Sequence, residues 1–134
     1  MNAVHRLVLG ATGGGKGWTV ANMPALELTT TGRRTGQQRT VLLTSPVQEG
    51  TTWVIVASRG GDDQAPAWYL NLCAHPEVEA SLQGGPVEPM LARTASGEER
   101  ARLWPLVTAA YKGYATYQTR TDREIPLILL EPIS

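Results

Sequence analysis

The spacing of apolar and polar residues along the chain predicts three strands, a helix, two strands, a second helix and a closing strand. Residues 26–31 have the apolar and β-branched content of a strand, 40–44 read as the strand returning from it, and 53–57 as a third. The first two are joined by Gly32-Arg33-Arg34-Thr35-Gly36, a glycine-bracketed turn, and the third stops at Gly60-Gly61. In the helix that follows, Asp62 or Asp63 is placed to cap, Pro66 suits the first turn and residues 68–74 form the body. It stops at His75, because a residue before proline is pushed out of the helical region. Residues 78–82 and 87–92 form a hairpin around Gly84-Gly85. Ser96-Gly97-Glu98-Glu99 is a capping box, opening a helix through Leu103 and Val107 towards Tyr117, which Pro105 is expected to kink or restart. Residues 125–131 are a buried strand. Tight connections make the pairing mostly antiparallel, so the expected class is α+β, a small barrel with two principal helices. Ahead of it, residues 1–25 read as a short arm: 3–9 are briefly amphipathic and then dissolve into the glycine joint of 13–17, leaving 26–134 as the domain.

Composition narrows the picture. Lys+Arg and Asp+Glu each number 12, so the formal net charge is zero and the chain lacks the global field of a nucleic-acid binder. Any anion site must be local. A single cysteine, Cys73, forbids an intramolecular disulfide, and with no signal peptide the expected compartment is the cytoplasm. Runs such as 125–130 are too short to span a bilayer. Phenylalanine is absent while Trp and Tyr number four each, so nearly every large ring carries a polar tip suited to a wet pocket.

Residues 10–17 match the phosphate-loop spacing GxxxxGK, but Gly17 stands where that loop needs Ser or Thr, and Asn22-Met23-Pro24 argues against the helix it requires. A flexible glycine joint is the better reading. The turn of residues 32–39 is stronger. Arg33, Arg34 and Arg39 suit bidentate phosphate contacts, the glycines let backbone N–H groups approach a ligand, and Thr35 and Thr40 add hydroxyls. Taken alone, it serves equally as an anion site or as a solvated hairpin tip. Ser58-Arg59-Gly60-Gly61, ending the next strand, and the helix from Pro66 with Trp68, Tyr69 and Asn71 favour a site for a flat ring attached to a phosphate. Tyr111, Tyr114 and Tyr117 recur every three residues and share a helix face. They either pack on the barrel or line a cavity where a phenol gives a proton to a developing anion. Cys73 and His75 make no metal site, and Cys73 is expected to be a packing residue.

The stretches Leu28-Thr29-Thr30-Thr31-Gly32-Arg33-Arg34-Thr35-Gly36-Gln37-Gln38-Arg39, Ser58-Arg59-Gly60-Gly61 and Pro66-Ala67-Trp68-Tyr69-Leu70-Asn71-Leu72 occur in that order. Together with Glu98-Glu99-Arg100, the three tyrosines and Thr121-Asp122-Arg123-Glu124-Ile125-Pro126, they resemble the deazaflavin-dependent nitroreductase family of actinobacteria, from residue 26 to the end. The resemblance implies a split β-barrel of the flavin-reductase and pyridoxamine-oxidase type. It also implies coenzyme F420, whose reduced form passes hydride to nitro groups, quinones or activated double bonds. On that footing Arg33, Arg34, Thr35, Arg39 and the backbone of Thr40, Val41, Leu42 and Leu43 hold phosphate and tail. Val56, Ala57, Ser58, Arg59, Ala67, Trp68, Tyr69, Leu70 and Asn71 surround the ring and its ribityl arm. Tyr111, Tyr114 and Tyr117, with Thr44, form the substrate side, and Tyr114, Tyr111 and Ser58 are the catalytic candidates. Thr44 departs from the aromatic residue of some members, which alters the pocket; Arg34 and Arg59 stand where lysine is common. Some relatives use a longer amphipathic arm near membranes, so the short arm here leaves at most weak peripheral association. The expected partner is a small-molecule substrate, not nucleic acid and not a metal. Two alternatives stand beside the reductase: a flavin mononucleotide oxidoreductase on the same barrel, and a non-catalytic F420 carrier.

Overall fold

In the computed structural model, residues 19–20, 22–58 and 65–133 are described. They form β1 (Thr19–Val20), β2 (Met23–Thr31), β3 (Gln38–Thr44), β4 (Val47–Glu49), β5 (Thr52–Val56), α1 (Ala67–Ala74), β6 (Glu77–Leu82), β7 (Glu88–Thr94), α2 (Gly97–Ala110), α3 (Gly113–Thr119) and β8 (Leu127–Pro132). The N-terminal arm, the glycine joint, Arg59-Gly60-Gly61 and the capping candidates Asp62 and Asp63 lie outside the described residues.

All the strand pairings are antiparallel. From β3 the sheet passes through β2, β6, β7, β8 and β5 to β4, while β1 pairs with β2. Its two ends, β3 and β4, are consecutive in the chain, so the sheet must curl until they meet across Ser45-Pro46. Ser45 is fully buried at that corner: its N–H donates to Pro24 C=O at 3.0 Å and its hydroxyl to Val54 C=O at 2.8 Å. The result is a curled antiparallel half-barrel.

Side chains alternate between two cores. Leu26, Leu28, Ile55, Ile128 and Leu130 face inward, where Trp68 and Leu72 of α1 close the barrel. Val54, Val56, Leu127 and Leu129 face outward and are covered by Leu103 and Val107 of α2 and Tyr114 of α3. Strands β5 and β8 are therefore buried on both faces, which explains why their sequences run apolar without alternating. Each fully buried aliphatic side chain contributes about 1.5–3 kcal/mol.

The structure departs from the predicted elements in four places. Two short strands, β1 and β4, were not expected; β4 forms because Gly50, at φ +62°, and Thr51 turn the chain back onto β5. Pro66 is itself the N-cap of α1, extended at ψ 149° and without a side-chain cap; its carbonyl takes the N–H groups of Tyr69 and Leu70 instead. Helix α2 runs through Pro105 unbroken and stops at Tyr111, whose φ of −153° is extended. The break is followed by Gly113, where a Cβ would overlap the Tyr111 ring. The tyrosines thus sit on two elements rather than on one helix face, and there are three helices among the described residues rather than two. Cys73 is exposed rather than packed, since α1 buries Trp68, Asn71 and Leu72 on its other side.

Candidate active site

Strands β2 and β3 pair as far as Thr31 and Gln38, leaving residues 32–37 as the turn. Gly32 N–H donates to Gln37 C=O at 2.7 Å and Gly36 N–H to Gly32 C=O at 2.9 Å. Gly36 sits at φ +74°, and a Cβ on Gly32 would fall 2.9 Å from Thr35 Oγ1. Both glycines are therefore required by the loop's own shape.

The turn is clasped to α1 by one side chain. Asn71 Oδ1 accepts from the Arg33 backbone N–H at 3.1 Å and from Arg33 Nη1 at 3.0 Å, while its Nδ2 donates to Thr30 Oγ1 at 3.3 Å. Asn71 and Thr30 are both buried, so this contact fixes where the Arg33 guanidinium stands.

Between the turn and the helix lies a cleft of about 800 Å³. Its charged side is made by Arg33, Arg34 and Arg39 with Gly32, Thr35, Gln38 and Thr40; its other wall is Val41, Ala67, Trp68, Thr30 and Asn71. Among the described residues, no carboxylate lines it. Three guanidinium groups at one end and an indole and aliphatic wall at the other form a donor set for an anionic group attached to a flat ring. Of the expected cofactor residues, the fold gathers Arg33, Arg34, Thr35, Arg39, Thr40, Val41, Ala67, Trp68 and Asn71 at the cleft. Leu43 and Tyr69 pack against the inner core instead, Leu42 is half-buried, and Leu70 is exposed. Ala57 belongs to the inner core and Val56 to the outer one, while Ser58 is buried at the end of β5. Arg59 lies outside the described residues.

The tyrosines form a separate cluster. Ring centroids stand 5.2 Å apart for Tyr111 and Tyr114, 6.1 Å for Tyr114 and Tyr117, and 6.3 Å for Tyr111 and Tyr117. They pack over the outer core and do not line the cleft. Tyr114 is buried, and its hydroxyl lies 3.0 Å from Thr44 Oγ1 and 3.9 Å from Met23 Sδ. Burial pushes the Tyr114 phenol above its ordinary pKa, opposed by the Thr44 hydrogen bond. The group therefore keeps its proton at neutral pH. Thr44 and Tyr114, predicted as neighbours on the substrate side, are brought together by the fold.

Two residues of the cleft were missed from sequence. Thr30 continues the two-residue inward period of Leu26 and Leu28, a signal that was present; Gln38 opens β3 beside the arginines.

Over residues 3–132 the sequence matches the F420H(2)-dependent quinone reductase family. This chain belongs to that family. An F420H(2)-dependent quinone reductase of Mycobacterium tuberculosis H37Rv is 37% identical over 136 residues, covering 95% of this chain and 87% of the relative. The solved structure of an F420-H2 dependent reductase, FDR-A, is 44% identical with a TM-score of 0.72, covering 81% of this chain and 94% of that one. A pyridoxinephosphate oxidase family protein from Clostridium acetobutylicum shares the fold alone, at 9% identity and a TM-score of 0.58 over 98% of this chain and 83% of that one. The half-barrel is thus a split barrel of the pyridoxamine-oxidase type. Membership of the F420H(2)-dependent quinone reductase family makes the protein an oxidoreductase whose hydride donor is reduced coenzyme F420, as the motifs implied. Among the described residues, no helix is long and apolar enough to cross a membrane.

Proposed function

We propose that the protein reduces quinones, and other small electron-poor molecules such as activated enones and nitro compounds, with the anionic end of its cofactor anchored in the cleft between the β2–β3 turn and α1. The observation that carries this reading is the cleft in which three arginines face an indole wall and Arg33 is held by Asn71.

Arg33, Arg34 and Arg39 bind the phosphate and acidic tail of the cofactor, with Thr35 and the Thr40–Leu43 backbone beside them. Trp68 and Ala67 orient the ring, and Ala57 and Ser58 border it from the end of β5. Bound reduced F420 supplies a hydride, so the chain itself needs no metal, thiol or strong base. What the chain supplies is alignment of an electrophilic carbon and a hydrogen bond to the anion that forms. Tyr114, buried and hydrogen-bonded to Thr44, is the donor, and Tyr111 and Tyr117 complete the substrate side.

A binding titration with purified coenzyme F420 and, in parallel, flavin mononucleotide tests the cofactor. The expected result is saturable quenching of the deazaflavin and none of the flavin; the opposite preference overturns the reading. Single-turnover oxidation of the reduced cofactor by menadione, an α,β-unsaturated lactone and a nitroaromatic then ranks the acceptors. Binding without acceleration over buffer makes the protein a carrier.

A further inference from the structure

One basic residue stands apart from the turn and is woven into the site from behind. Arg123 lies in the loop between α3 and β8, and its Nη2 donates to two successive backbone carbonyls, Ala57 and Ser58, at 3.2 Å each. The β5–β8 ladder ends at Val56 and Leu127, with one further bond from Ala57 N–H to Pro126 C=O. The guanidinium therefore takes over where the sheet stops holding β5.

The loop that presents Arg123 is itself fixed. Gln118 Nε2 donates to Arg123 C=O at 2.8 Å, and its Oε1 accepts from Ile125 N–H at 2.9 Å and Arg100 Nη2 at 3.1 Å. Arg100 Nε also holds Ile125 C=O at 3.0 Å, and Thr121 Oγ1 accepts from Arg123 N–H at 3.3 Å. Burial pushes the Tyr69 phenol of α1 above its ordinary pKa, opposed first by a hydrogen bond with Thr94 and more weakly by the Arg123 charge. Ala57 packs in the same inner cluster as Trp68, which walls the cleft.

We propose that Arg123 is a positioning residue for hydride transfer, clamping the end of β5 to the α3–β8 loop and so fixing Ala57, which shares the inner core with the cleft-wall residue Trp68. The inference rests on the reductase reading above. Both bonds leave one nitrogen, Nη2, one N–H for each carbonyl; lysine keeps the charge but is shorter than arginine, so it is an incomplete substitute. The phosphate grip of Arg33, Arg34 and Arg39 is remote from the clamp and is left intact by its loss.

Arg123→Gln and Arg123→Lys test this on the full chain. Reduced-cofactor oxidation by menadione in single turnover is expected to slow about tenfold or more in Arg123→Gln and a few-fold in Arg123→Lys, with F420 affinity within about threefold of wild type. Without any cofactor, amide hydrogen exchange in residues 52–58 should rise in both variants while the melting temperature moves little. Hydride transfer within about twofold of wild type in the variants that fold, Arg123→Lys alone included, overturns the positioning role. So does unchanged exchange at residues 52–58, and so does a loss of F420 affinity equal to the loss of transfer rate. A wild-type chain that neither binds nor oxidises reduced F420 instead overturns the reading beneath the proposal.

Discussion

Asn71 carries more of the site than its size suggests. A single amide receives the backbone and the guanidinium of Arg33 and gives a proton to buried Thr30, so the hairpin tip and α1 cannot move independently. Asn71→Ala leaves the Arg33 N–H without this acceptor and frees its guanidinium to sample solvent. The expected cost is about 1–3 kcal/mol of stability and about a tenfold loss of F420 affinity. Chemical denaturation and fluorescence titration read the two effects; unchanged affinity would show that the clasp is structural only. Tyr114→Phe is a different kind of change. It removes one buried hydroxyl and strands Thr44 Oγ1, at about 1 kcal/mol, and should lower turnover or substrate affinity while sparing F420 binding. If F420 binding weakens in step with turnover, Tyr114 acts on the cofactor and not on the acceptor.

The two ends of α2 contrast what local sequence does and does not encode. Its start is a complete capping box: Glu99 N–H donates to Ser96 Oγ at 3.2 Å and Ser96 N–H to Glu99 Oε1 at 2.8 Å. That motif is legible because the partners lie three residues apart. Its end is not legible: Pro105, which forfeits a backbone donor and crowds the Ala101 carbonyl, does not stop the helix, and the stop falls at Tyr111 instead, just before Gly113. The start also has a pH signature. Arg93 of β7 makes a two-pronged contact with Glu99, at 2.8 Å on each oxygen, and together with the Ser96 N–H holds the carboxyl down at about 2. Because the folded pKa lies below the ordinary value of 4.5, this stabilisation is fully present above 4.5 and is lost as pH falls towards 2. The melting temperature should decline across that window, and Glu99→Gln should flatten that part of the decline. An identical acid limb in the variant would place the responsible carboxylates elsewhere.

At the scale of the whole molecule, zero net charge turns the arginine turn into a testable local field. The order of strands and helices was readable from periodicity, and so was the turn, because its chemistry lies within eight contiguous residues, 32–39. The wall opposite it is legible only in part: Trp68 and Asn71 stand out in the helix after Pro66, whereas Thr30 does not, because no spacing in the chain announces how α1 settles on β2. Arg123 is the extreme case, 65 positions from the Ser58 carbonyl it binds. With no global field to steer an anion, the salt dependence of cofactor binding must arise at the turn itself. Raising ionic strength should therefore weaken F420 binding steeply in the wild type. Arg33→Ala with Arg34→Ala should weaken it on the order of tenfold or more at low salt and remove most of that salt dependence. Arg102→Ala, which deletes an exposed cation paired with Glu49 away from the cleft, provides the control. It changes the total charge without touching the turn, so its salt dependence should follow the wild type. A salt slope reduced equally by Arg102→Ala would mean that overall charge, not the turn, attracts the cofactor.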